Sequence, residues 1–128
     1  MRLIKYIKFL ALFGTIFLIA GACGNKPNSA QGCKEKITEV EVSLKDDAFN
    51  PSTLVIKNCT KVVFKNNGAK DHWPASDLHP THGIFPEFDP LKGIQPNEQW
   101  EFVFEKKGSW KYHDHLHPQI RGIIKVED

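Results

Sequence analysis

The sequence predicts an all-β domain, an antiparallel β-sandwich of about seven strands, and three observations carry that expectation. Apolar residues alternate with polar ones in short runs, no window offers a convincing helical repeat, and turn-forming residues separate the runs. Each alternating run has one apolar face, and such faces find burial by closing two sheets on one another. About a hundred residues follow Cys33, enough for one compact domain with one core.

The runs follow in order. Val40, Val42 and Leu44 alternate with polar neighbours, then Leu54 and Ile56, then Val62 and Phe64. Trp100, Phe102 and Phe104 form the next, Trp110 and Tyr112 follow, and Ile123, Ile124 and Val126 make the last. Turn signals lie between them at Asn50-Pro51, Asn58, Asn66-Asn67-Gly68, Gln95-Pro96-Asn97 and Lys106-Lys107-Gly108. The aromatic strand residues are expected in the core. Residues 74–92 break the rhythm, carrying Pro74, Pro80, Pro86 and Pro90 together with His79 and His82. A loop this long inside a compact domain is functional or disordered, and Phe85 and Phe88 argue against disorder.

The beginning of the chain reads as a targeting segment. Arg2, Lys5 and Lys8 precede an apolar stretch at residues 9–20 that is too short for a comfortable transmembrane helix, so residues 1–22 are expected to be a signal peptide. Ala20-Gly21-Ala22-Cys23 resembles the lipobox of bacterial lipoproteins, which implies a lipid on Cys23. The alternative is plain secretion at an A-x-A cleavage site, because Ala20 stands where lipoboxes usually carry Leu. Either way the mature chain works outside the cytoplasm, in the periplasm or at the outer cell surface. Residues 23–36 then form a tether: the stretch at 24–32 (GNKPNSAQG) has no large apolar residue to bury. The domain proper spans residues 37–128.

With Cys23 lipidated, Cys33 and Cys59 remain as a pair in an oxidising compartment and are expected to bond, contributing on the order of 3 kcal/mol by loop closure. The rival role is that of a thiolate ligand for one of them, although neither lies near the histidines in sequence. Residues 1–22 hold three of the 17 basic residues and no acidic one. Without them 14 basic residues face 15 acidic ones, a formal charge near −1, which gives no case for nucleic-acid binding.

All six histidines fall in the second half of the chain, and His113, His115 and His117 crowd one short run, Tyr112-His113-Asp114-His115-Leu116-His117-Pro118. Imidazole is the commonest metal-ligating side chain and is neutral near pH 7, so the clustering marks a metal site. Phe49-Asn50-Pro51 followed by Leu54-Val55-Ile56, the Val62-Val63-Phe64 run leading to His72, and the ending from Gly108-Ser109-Trp110 to Gly122 together resemble the cupredoxin family. The resemblance covers residues 37–128 and implies a Greek-key β-sandwich of about seven to eight strands. In cupredoxins the last region reads Y-x-C-x-x-H-P-x-M-x-G, and with an upstream histidine it supplies a copper site of two His, one Cys and a weak axial Met. Tyr112, His117, Pro118 and Gly122 fall in register, so His72 and His117 match the two histidine ligands. The Cys position is Asp114 and the Met position is Ile120.

The missing thiolate decides against conventional blue-copper electron transfer. A hard carboxylate oxygen favours Cu(II) over Cu(I) and tolerates zinc; iron stays open as well. If Trp110, Tyr112 and Asp114 point one way along their strand, His113 and His115 point the other. An H-x-H pair beside this position resembles multicopper oxidases, as does His79-Pro80-Thr81-His82, though over shorter stretches. Two geometries follow. One is a mononuclear site from His72, Asp114 and His117, capped by His79, His82 or His115; the other adds a second cluster from His113, His115 and loop histidines. Asp71 is expected as a turn residue or a hydrogen-bond acceptor for a ligand, and Glu87 and Asp89 as surface charges.

The expected function is binding of Cu(II) through His and Asp ligands, for sequestration or delivery, with a metal-transport or redox protein as partner. The alternatives are a small copper oxidoreductase subunit with a multi-histidine centre, or an accessory domain of a periplasmic metal-uptake system.

Overall fold

The computed structural model describes residues 32–33 and 37–128. The signal peptide, the lipid site at Cys23 and most of the tether lie outside the described residues. Eight strands form: β1 (Glu39–Leu44), β2 (Phe49–Asn50), β3 (Thr53–Lys57), β4 (Thr60–Asn66), β5 (Pro74–Ser76), β6 (Gln99–Phe104), β7 (Gly108–Asp114) and β8 (Arg121–Glu127). They build two sheets, ordered β2-β1-β4-β6 and β3-β8-β7-β5, and no helix occurs among the described residues.

The sheets are mixed, where the sequence suggested purely antiparallel pairing. β1 lies parallel to β4 with Val42 opposite Phe64, and β3 lies parallel to β8 with Ile56 opposite Val126. Both parallel pairs arise because the chain changes sheet between the partners. After β2 it crosses to lay down β3 in the second sheet, then returns for β4 beside β1. Alternation of side chains alone does not distinguish the two directions, because both put every second residue on one face. The remaining neighbours, β4 with β6 and β7 with β5 and β8, are antiparallel.

The predicted alternation produces the core. Val42, Leu44, Val62, Phe64, Phe102, Phe104, Tyr112, Ile124 and Val126 are all buried, with Trp100 and Trp110 packed partly against them. The loop between β5 and β6 contributes to it. Phe88 is fully buried and packs against Phe64, Trp100, Phe102, Phe104 and Tyr112, with ring centroids 5.1–5.8 Å apart. Phe85 packs on Trp110 at 4.7 Å. Burying a phenylalanine is worth roughly 1.5–3 kcal/mol, so these two side chains fasten the loop into the core between the sheets. The segment read as a long loop begins instead as β5, which pairs with β7 and covers its outer edge.

Two further contacts shape the sandwich. Tyr112 stacks on Phe49 at 4.8 Å, and its ring crosses β8 at Gly122, where an added Cβ would collide with it. Glycine at 122 is therefore required by that close approach. At the other end of the strands a disulfide joins Cys33 to Cys59 across a separation of 26 residues. Cys59 occupies the β3–β4 turn with φ of 63°, and its N–H donates to the Phe104 carbonyl.

Replacing Phe88 by Ala should cost roughly 3–5 kcal/mol, as for other large-to-small changes in a packed core. Urea unfolding monitored by tryptophan fluorescence measures it, and a cost below 1 kcal/mol would mean that the loop is not held by this ring.

Candidate metal centre

Imidazoles and carboxylates gather where β4 and β7 end and β8 begins, and each is placed by backbone pairing. His72 follows a turn locked by Asn66. The buried Asn66 amide donates to the carbonyls of Lys70 and Ile94, both at 2.8 Å, while its oxygen accepts from Gly68 N at 2.9 Å. His72 and Ile94 exchange backbone hydrogen bonds of 3.1 and 2.7 Å, fixing where the imidazole enters the core. Asp114 ends β7, and the chain turns at once, with His117 N donating to the Asp114 carbonyl and Ile120 N to that of His117.

Asp114 is completely buried and both carboxylate oxygens are engaged. Oδ1 accepts from Trp73 N and Leu116 N, each at 3.0 Å. Oδ2 faces Nδ1 of His72 at 2.6 Å and Nδ1 of His117 at 3.0 Å. Burial alone would push the Asp114 carboxyl up, but hydrogen bonds from His72, Trp73 N, His117 and Leu116 N outweigh it and hold the group below the usual carboxylate range. The potential ligand atoms of His72, Asp114 and His117 lie within 4.8 Å of one another. The opposite nitrogen of His72, Nε2, is buried without a hydrogen-bond partner and sits 3.5 Å from Asp46 Oδ1. Ile120 is buried beside the turn and its side chain offers no ligand atom.

The other face of β7 carries a second cluster. His113 is fully buried, and its Nδ1 lies 3.0 Å from Asp77 Oδ1, which Arg121 also approaches at 3.3 Å. His113 Nε2 lies 3.2 Å from His79 Nδ1. His82, also buried, places Nδ1 2.6 Å from Asp89 Oδ2 and Nε2 2.9 Å from His115 Nδ1. His115 is held by its N–H to the Trp73 carbonyl at 2.7 Å and by the Trp73 ring, 4.6 Å away. The Trp73 indole in turn donates to Asp89 Oδ1 at 2.7 Å. The ligand atoms of His79, His113 and His115 again fall within 4.8 Å of one another. Burial depresses the His113 imidazole, with Asp77 pulling the other way; burial and the neighbouring His82 and His79 depress His115.

All six histidines thus join one cluster or the other. His72 and His117 meet Asp114; His79, His82, His113 and His115 meet one another. No described histidine caps the first cluster. Asp71 is exposed and makes no side-chain hydrogen bond among the described residues. Asp89, expected at the surface, is nearly buried and anchors His82, Trp73 and the backbone N–H of Leu91, whereas Glu87 is exposed and pairs with Lys106. Sequence reasoning missed Asp46 and Asp77. Asp77 carries a weak signal, two residues ahead of His79 in the proline-braced loop. Asp46 carries none, because it reaches His72 from the β1–β2 turn.

Comparison with known proteins agrees with this architecture. The model of the family described as cupredoxin-like domain matches residues 10–126. Among solved structures, a reduced amicyanin variant superposes with a TM-score of 0.61 at 21% identity, covering 70% of this chain and 82% of its own. A purple cupredoxin from Nitrosopumilus maritimus superposes with a TM-score of 0.60 at 22% identity, covering 68% of this chain and 98% of its own. No curated protein matches the chain. With the family model spanning most of its length, the chain belongs to the cupredoxin-like domain family.

Proposed function

We propose that this chain is an exported copper-binding protein that takes Cu(II) at His72, Asp114 and His117, for sequestration or delivery rather than blue-copper electron transfer. The observation that carries the proposal is the convergence of two Nδ1 atoms, from separate loops, on one carboxylate oxygen; the register of these residues, which resembles the cupredoxin copper motif, supports it.

The unpartnered nitrogen of His72 tests whether these residues fit the metal. A neutral imidazole that gives its Nδ1 proton to Asp114 would turn the Nε2 lone pair toward the Asp46 carboxylate, two electron-rich groups facing each other. The other tautomer places the proton on Nε2, toward Asp46, and leaves the Nδ1 lone pair free for a cation beside Asp114. The residues fit. Metal-bound imidazoles commonly turn their other N–H toward a carboxylate, and Asp46, 3.5 Å from Nε2, lies on that side. A bound Cu(II) ion would supply Lewis acidity and one held oxidation state. Asp114 brings the negative charge, Trp73 N and Leu116 N keep its carboxylate oriented, and buried Ile120 adds no ligand. Lipid attachment at Cys23 would keep the protein at a membrane surface, where a partner collects or supplies the metal.

Copper-loaded protein should be pale, and Asp114→Cys should give it an intense thiolate-to-copper absorption band while the apoprotein still melts cooperatively. A folded, copper-loaded Asp114→Cys protein with no such band would remove copper from this position.

Acid should release the metal in a predictable window. Binding needs unprotonated imidazole, so protons compete with the metal and affinity falls as pH drops from about 7 toward about 5. Asp114, held below the usual carboxylate range, stays ionised throughout that window and does not set it. The apparent dissociation constant for copper should therefore rise as pH is lowered from about 7 to about 5; a constant that stays level over that range would count against imidazole ligands.

A further inference from the structure

We infer that His79, His82, His113 and His115 build a second metal centre, separate from the position of His72, Asp114 and His117, that takes a divalent cation of the Cu(II) or Zn(II) kind through imidazole nitrogens, with Asp77 and Asp89 as positioning residues. This goes beyond the proposed function and does not depend on it.

The argument starts from which nitrogens are already committed. Asp77 fixes the proton of His113 on Nδ1, and Asp89 fixes that of His82 on Nδ1, at 3.0 and 2.6 Å. Both histidines therefore present an unprotonated Nε2, and both of those atoms point into the cluster, toward His79 Nδ1 and His115 Nδ1. Carboxylate-to-imidazole support of this kind is the usual outer arrangement of a histidine metal site. The rings crowd together: centroid separations are 5.1 Å for His79–His113, 4.9 Å for His79–His115, 5.3 Å for His82–His113 and 4.8 Å for His82–His115. Four basic rings drawn from a loop and a strand have no packing reason to converge, since each costs desolvation that an apolar side chain would not.

Backbone and charge support the assignment. His82 adopts φ of 53°, an uncommon conformation for a residue with a side chain, and its ring lies against that of His113 on β7. His82 and His113 are buried, whereas His79 is exposed and leaves a route from solvent. Four imidazole nitrogens suit a borderline cation rather than magnesium or calcium, which prefer oxygen. The two aspartates behind the rings offset the charge of a divalent ion, with Arg121 sharing Asp77. The two sites stay distinct because adjacent residues of β7 face opposite sides: Asp114 turns inward, His113 outward.

The test loads the full chain with Cu(II), removes loosely held metal, and reads copper per chain by elemental analysis and nitrogen coupling by electron paramagnetic resonance. The double variant His72→Gln/His117→Gln should keep copper with coupling to three or more nitrogens. His113→Gln/His115→Gln should lose that signal. Because His113 is buried, His79→Gln serves as the variant that leaves the core untouched; it should weaken the nitrogen-rich copper at least tenfold without moving the melting temperature of the metal-free protein. Asp89→Asn should weaken it about 10–100-fold, with partial recovery in Asp89→Glu. Loss of all copper from folded His72→Gln/His117→Gln, or undiminished nitrogen-rich copper in His79→Gln and Asp89→Asn, would overturn the inference. Copper that survives His72→Gln/His117→Gln but vanishes in the cluster variants, leaving none elsewhere, would support this centre while removing the ligand set of the proposed function.

Discussion

The alternation of side chains along β7 is the constraint on which the rest of this molecule depends. A strand at a protein surface buries one face; over its last three residues β7 buries both. Tyr112 and Asp114 go into the sandwich, and His113 goes under the loop between β5 and β6. That is possible because the loop is fastened by Phe85 and Phe88 in the aromatic core, and because β5 pairs with the end of β7. Polar groups on both faces of one strand thus leave water together, and each must find partners inside the protein. Imidazole paired with carboxylate is the solution on both sides.

Trp73 connects the two sides. Its N–H supports Asp114, its carbonyl holds the backbone of His115, its ring lies on that imidazole, and its indole fixes Asp89. The residue after His72 therefore sets the geometry of both clusters, and a change at Trp73 would disturb the two together. The Asn66 lock on the preceding turn acts one step earlier, by setting where His72 and Trp73 start.

The sequence made much of this legible. Alternating apolar residues located the strands because burial on one face leaves that imprint, and the register of Tyr112, His117, Pro118 and Gly122 placed His72, Asp114 and His117 together. Gly122 matters physically because the Tyr112 ring crosses it. Strand direction was not legible, since parallel and antiparallel neighbours share the same period. The partition of the histidines was only half legible: alternation separated Asp114 from His113, but nothing local showed that His79 and His82 both turn toward His113 and His115 rather than toward His72. The supporting acids were hardest. Asp89 looks like a surface charge, and Asp46 reaches its histidine from a distant turn.

The disulfide gives the domain a direction. Cys59 lies where β4 starts and the histidines gather where β4 ends, about 20 Å further along a strand of this length. Cys59 N also meets Phe104 and Asn58 N meets Glu127, the far ends of β6 and β8. Cys33 is therefore moored to one pole, and the histidines occupy the opposite one. Approach to the imidazoles thus stays clear of the place where the disulfide ties the chain down.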